Sequence, residues 1–181
     1  MDEKTIVNDY AGYTTSTPRR KKRKRGPAWI PLACFLAICF AAIALDAHIA
    51  RPALHGWYLK RLVKPKFAPP NWLFIPVWTI LYATIAVAVW RVWREGSRAQ
   101  RTDATVLFVI QLILNSAWIF FVFNQHRLLV STIIVLALWL AVVAMVALYW
   151  RVQALAGAIL LPYLGWVSFI IALNLVLLRH N

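Results

Sequence analysis

The chain has 181 residues, of which 62% are hydrophobic and only 14% charged, with a mean hydropathy of +0.66. A soluble domain of this size cannot hide so much apolar surface, so the expected solvent is a bilayer and the expected unit one membrane domain. The formal net charge of +14 does not point to nucleic acid as a partner, because the Lys and Arg residues stand in runs between apolar segments.

Residues 1–27 carry no apolar periodicity and end in the run Arg19, Arg20, Lys21, Lys22, Arg23, Lys24, Arg25, Gly26, Pro27. Such a segment buries no core, and a disordered tail is expected. A nuclear signal and a membrane anchor are both consistent with the basic run. Its place directly before a long apolar segment favours the anchor, since anionic headgroups attract such clusters at about 1 kcal/mol per charge. The first apolar segment is too long for a cleaved signal peptide and lacks a small-residue cleavage site.

Crossing ~30 Å of hydrocarbon takes ~20 mostly apolar residues in a helix. Five stretches qualify, approximately 28–50, 71–93, 104–123, 128–150 and 155–178. Together they make an all-α integral membrane protein, a five-transmembrane-helix bundle over residues 28–181. Short links force an up-down arrangement. Both cysteines, Cys34 and Cys39, fall in the first span, where they read as packing residues rather than a disulfide framework. Asp46 and His48 near its far end raise the alternative of a proton-coupled transporter. However, Asp2, Glu3, Asp9, Glu95 and Asp103 lie in the tail or second loop, and no titratable chain crosses the bilayer. Asp46 is therefore expected at the interface, paired with Arg51.

The connection from Arg51 to Pro70 combines Trp57, Tyr58, Leu59, Leu62, Val63 and Phe67 with three prolines within six residues, Pro65, Pro69 and Pro70. Two readings stay open: a lid over a cavity between helix ends, or an interfacial anchor with a turn. On the second span Trp78 and Tyr82 are four apart and separated by ~40°. On the third, Gln111, Asn115 and Trp118 fall within ~60° of one another. On the fifth, Tyr163, Trp166, Ile170 and Asn174 form a stripe ~80° wide. An amide in hydrocarbon without a partner costs several kcal/mol, so these faces must meet other helices or a polar cavity. Each stripe alone reads as interhelical packing. Three aromatic-polar stripes on three helices point to a pocket for a large, flat, apolar ligand. Pro76 and Pro162 remove backbone bonds, as kinks for packing or as local openings.

The stretch Trp57-Tyr58 through Lys64-Pro65-Lys66-Phe67-Ala68-Pro69-Pro70-Asn71-Trp72-Leu73-Phe74-Ile75-Pro76-Val77-Trp78-Thr79-Ile80-Leu81-Tyr82 resembles the signature of the TspO/MBR family, the tryptophan-rich sensory and translocator proteins that include the peripheral-type benzodiazepine receptor. Gln111 through Trp118, and Pro162 through Phe169 with Asn174, are similar to the same family. The resemblance covers residues 29–181 and implies a ligand class: porphyrin, haem and related tetrapyrroles, bound among the five helices beneath the first loop with no cofactor required. Site residues implied or placed by the stripes are Trp57, Tyr58, Pro70, Trp72, Phe74, Trp78, Tyr82, Gln111, Asn115, Trp118, Tyr163, Trp166 and Asn174. Trp78 and Trp166 match the paired tryptophans of relatives that break down porphyrin in light, the enzymatic alternative.

The chain departs from the animal relatives at Leu173-Asn174-Leu175-Val176-Leu177-Leu178-Arg179, where a sterol-recognition stretch would carry an aromatic, and at Leu128 to Ile134, which holds no acid. His55, His126 and His180 lack the paired spacing of a metal site, leaving axial haem ligation by one of them as an alternative. The expected partners are a tetrapyrrole or similar small molecule, membrane lipids with the tail on anionic headgroups, and a second copy of the chain in a homodimer. Small residues for close contact are Ala137, Ala141 and Ala144, or Ala154, Gly157 and Ala158. The tail with Arg91, Arg94, Arg98, Arg101 and Arg151 carries thirteen of the twenty basic residues, which favours a cytoplasmic N-terminus.

Overall fold

The computed structural model describes residues 27, 29–55 and 70–180. The basic run, and the first loop with Trp57 and Tyr58, lie outside the described residues.

Helix α1 spans Trp29–His55 and turns one face inward through Phe35, Cys39, Asp46 and Ala50. It runs a turn beyond the predicted end and takes in Pro52, whose missing N–H removes only one bond close to the terminus. Cys34 is exposed and Cys39 buried, so only the second of the two is a packing residue.

Helix α2, Asn71–Glu95, begins behind Pro70, whose extended backbone (φ −61°, ψ 144°) brings the chain into the first turn. Its inner face follows helical spacing through Leu81, Tyr82, Ile85, Val89 and Val92. Two residues, Gly96 and Ser97, then reverse the chain. A Cβ on Gly96 would lie 2.8 Å from the Val92 carbonyl oxygen, so the tight link depends on glycine.

Helix α3, Arg98–Ile119, starts six residues earlier than predicted because Ser97 and Gln100 form a capping box. Gln100 N–H donates to Ser97 Oγ (3.3 Å) and Ser97 N–H to Gln100 Oε1 (2.8 Å). Asp103, read as a loop residue, is therefore helical. The helix widens into a π turn at Phe120–Asn124, closed by Gln125 N–H to Phe120 O at 3.1 Å. His126, at φ 55°, turns the chain into α4, Leu128–Val152.

The fifth span is two helices, α5 (Ala154–Ile159) and α6 (Leu161–His180). Pro162 has no N–H to continue the ladder, and the Leu160 N–H turns instead to Gly157 O at 3.1 Å. The proline thus sits in the first turn of α6, where the missing donor is spare.

Contacts trace a ring: α1 on α2, α2 on α5, α5 and α6 on α4, α4 on α3, and α3 with its π turn back on α1. Among the described residues five segments are long and apolar enough to cross a membrane: Trp29–Pro52, Trp72–Glu95, Arg98–Asn124, Leu128–Val152 and Ala154–His180. Ile38, Phe40, Ile80, Ile113, Ile133 and Leu140 are exposed on the outside, where water would penalise them and lipid does not. The chain is an integral, multi-pass membrane protein.

The ring is tied at the end nearest the tail. Arg91 Nε donates to Gln153 Oε1 (2.8 Å), Gln153 Nε2 to Glu95 Oε1 (3.0 Å), and Tyr149 OH to Ala104 O (3.0 Å). Along the rest of the bundle α2 meets α6 with little backbone contact, and aromatic side chains fill the space.

Candidate functional site

The aromatic and polar stripes converge in the half of the bundle that carries the first loop. Helical spacing on α2 directs Phe74, Trp78 and Tyr82 to one side, and the Trp78 ring touches three partners from three helices. Its centroid lies 5.9 Å from Tyr82, 6.2 Å from Trp118 on α3 and 6.4 Å from Tyr163 on α6. Phe74 packs edge-on against Trp166 at 6.0 Å, and Trp166 lies 5.5 Å from Phe169. Edge-to-face contact sets the positive ring edge against a negative ring face, so the cluster is favourable beyond its buried area.

Polar groups line the inner wall. Asn115 Nδ2 donates to Tyr82 OH at 2.6 Å and to Asp46 Oδ2 at 3.4 Å, while Tyr82 OH donates to the same Oδ2 at 3.1 Å. The Ser116 hydroxyl lies beside the carboxyl as well. One turn along α3 from Asn115, Gln111 Oε1 accepts from Tyr163 OH at 2.8 Å. Nearer the link from α3 to α4, Asn174 Oδ1 accepts from Trp118 Nε1 and from Ser131 Oγ, both at 3.4 Å, and its Nδ2 donates to Ile170 O at 2.9 Å. Among the described residues four buried atoms have no hydrogen-bond partner: Asp46 Oδ1, Gln111 Nε2, Asn115 Oδ1 and Trp166 Nε1. Orphaned polar atoms in a membrane core are costly, and these four lie on the polar wall and the ring clusters just described.

Of the residues assigned to the site from the sequence, Phe74, Trp78, Tyr82, Gln111, Asn115, Trp118, Tyr163, Trp166 and Asn174 are brought together. Pro70 is exposed, at the start of α2, and Trp72 lies 70% exposed on the outer surface, away from the cluster. The two tryptophans read as a pair occupy adjoining clusters, Trp78 with Tyr82, Trp118 and Tyr163, Trp166 with Phe74 and Phe169.

The reading of Asp46 as interfacial is corrected: it is 6% exposed and bonded to α2 and α3. The signal was present in the helical phase of α1, since Asp46 follows Phe35 and Cys39 by eleven and seven residues and precedes Ala50 by four, all on one buried face. Ser131 and Phe123, which meet Asn174 and Trp118, were also missed. Phe123 lies in the π turn, where a 3.6-residue period does not hold. No group of three His, Cys, Asp or Glu residues with metal-holding geometry is present among the described residues.

Residues 34–179 match the sequence model of the TspO/MBR family. A tryptophan-rich protein TspO of Chlorobaculum tepidum is 36% identical over 154 residues, 84% of this chain and 96% of the relative. Protein CrtK of Rhodobacter capsulatus is 33% identical over 153 residues, covering 82% and 91%. The human translocator protein is 30% identical over 161 residues, covering 86% and 92%.

Proposed function

The chain belongs to the TspO/MBR family, and from that premise we propose that it is a receptor or translocator-type membrane protein binding tetrapyrroles, porphyrin or haem, or similarly flat apolar molecules among its helices. The observation that carries this reading is Trp78, whose indole meets Tyr82, Trp118 and Tyr163 in a cluster backed by buried amides. A planar ligand exchanges ring-on-ring contact for ring-on-ligand contact at little loss of dispersion energy, and the polar wall offers fixed hydrogen bonds to its hetero-atoms. The names of the relatives, sensory protein and translocator, fit a protein that holds such a molecule for transport, scavenging or stress sensing.

Titration of the detergent-solubilised protein with protoporphyrin IX in the dark, followed by tryptophan quenching, tests the reading. Saturable binding is expected, weakened about tenfold or more by Trp78→Phe and by Asn115→Ala, with a smaller loss in Trp166→Phe. Absence of saturable binding in the wild type sinks it.

A second reading, light-driven breakdown of the porphyrin, is favoured by one distance. The Trp78 indole lies 6.2 Å from that of Trp118, so an electron hole left on Trp78 by a photoexcited porphyrin has a second indole to move to. Under illumination this reading expects loss of porphyrin absorbance in the wild type, abolished in Trp78→Phe or Trp166→Phe. Porphyrin that stays intact under light leaves binding alone.

A further inference from the structure

Among the described residues Asp46 is the one buried carboxyl group, and its geometry is incomplete. Oδ2 accepts from Tyr82 OH and Asn115 Nδ2, while Oδ1 accepts nothing. The orientation of the Asn115 amide follows from this arrangement, because the opposite flip would set its oxygen against the carboxyl oxygen. Asn115 Oδ1 is thereby left as a second buried acceptor without a donor. Two orphaned acceptors, one on a carboxyl group, sit on the side chains that the Tyr82 hydroxyl joins, and the Trp78 ring packs 5.9 Å from that of Tyr82. The donors around the carboxyl, Tyr82 OH, Asn115 Nδ2 and the Ser116 hydroxyl, are all neutral, so what this combination lacks is a positive one. A cation on Oδ1 would favour the ionised carboxyl group by pairing its charge, and aromatic rings of the ligand would reach the Trp78 ring, which packs on Tyr82.

We propose that Asp46 and Asn115 form a polar subsite in the wall of the aromatic cluster that takes the protonated nitrogen of a flat, lipophilic cation. This rests on the reading of the cluster as a site for flat apolar ligands and narrows it. The ligands favoured are those that present a positive N–H to Asp46 while their rings lie against Trp78. The protein's own net charge of +14 repels cations at long range, so a preference for a cationic ligand reports a local group rather than the overall field.

The test compares two probes of equal ring size on the purified protein in a non-ionic detergent. One is 9-aminoacridine, protonated at neutral pH, and the other is 9-aminoanthracene, neutral there; affinities are corrected for partition into empty micelles. The wild type is expected to bind the cation at least tenfold more tightly than the neutral probe, and Asp46→Asn, which keeps the side-chain shape, to erase the difference. Protoporphyrin IX binding is measured on the same samples. Equal affinity for the two probes in the wild type overturns the proposal without reference to any variant, and so does a preference that survives in Asp46→Asn. If protoporphyrin IX saturates the site while the cation preference is absent, the subsite alone fails. If neither protoporphyrin IX nor either probe saturates, the site reading fails and takes the subsite with it.

Discussion

Tyr163 is fully buried, and its hydroxyl donates to Gln111 from another helix. Tyr163→Phe keeps the ring contact with Trp78 but leaves Gln111 Oε1 as bare as Nε2 already is. Interhelical hydrogen bonds in membranes are worth about 1 kcal/mol, and we expect a loss of that order, read as a lower midpoint of detergent-induced unfolding. An unchanged midpoint means that Gln111 finds another partner when released. At this scale the sequence was readable wherever a polar side chain fell on a helical face with others. Gln111, Asn115 and Trp118 were placed together by angle alone, and they do share the inner wall, because hydrocarbon leaves an amide no other solvent. Asp46 is the exception: it stands near the end of its span, where an interfacial place is expected, yet its helical phase with Phe35, Cys39 and Ala50 puts it on the buried face.

The break in the fifth span is decided by two residues whose substitution should behave in opposite ways. Gly157 packs directly on α4: a Cβ there would lie 2.8 Å from Trp150 Cε3 and 2.9 Å from Trp150 Cα, and backbone cannot move aside as a side-chain tip can. Gly157→Ala is expected to lower stability by about 1–3 kcal/mol. Pro162→Ala is expected to change it by less than about 0.5 kcal/mol, because the first turn of α6 has no use for the restored N–H. Unfolding midpoints of the two variants in one detergent check the pair; a neutral Gly157→Ala would mean that α5 can shift away from Trp150. Gly157 had been grouped with Ala154 and Ala158 as a contact surface for a second copy, yet it serves packing inside the chain. Ala137 and Ala144, by contrast, are exposed on α4. The five spans were legible because hydrophobic length alone defines them. Their ends were less so: the capping box at Ser97 and Gln100 adds a polar first turn to α3 that a hydropathy count leaves in the loop.

Across the whole molecule, the two ends differ in what holds them, although rings pack at both: Phe35 meets Trp93 and Phe108 at the end nearest the tail. Arg91, Glu95, Gln153 and Tyr149 clasp the end nearest the tail, whereas Phe74, Trp78, Trp118, Phe123 and Trp166 fill the other. The Arg91–Gln153–Glu95 chain ties the helices where the basic residues gather, and under the proposed function the ring-lined end is the one a ligand would part. The charge count sets this asymmetry against the membrane: thirteen of twenty basic residues lie on the clasped side, which the positive-inside rule places toward the cytoplasm. A ligand would then enter from the opposite face. Cysteine labelling tests the inference in a background with Cys34→Ser and Cys39→Ala. Gln125, between α3 and α4, and Ala99, at the start of α3, are both exposed and lie at opposite ends of the bundle. A membrane-impermeant maleimide added to intact cells, for protein inserted in the plasma membrane, is expected to label Gln125→Cys and to reach Ala99→Cys only after permeabilisation. The reverse pattern would put the clasp outside and the aromatic mouth toward the cytoplasm. In that case the tail's charge would be overridden by insertion through another route, and a ligand made inside the cell would meet the ring-lined end first.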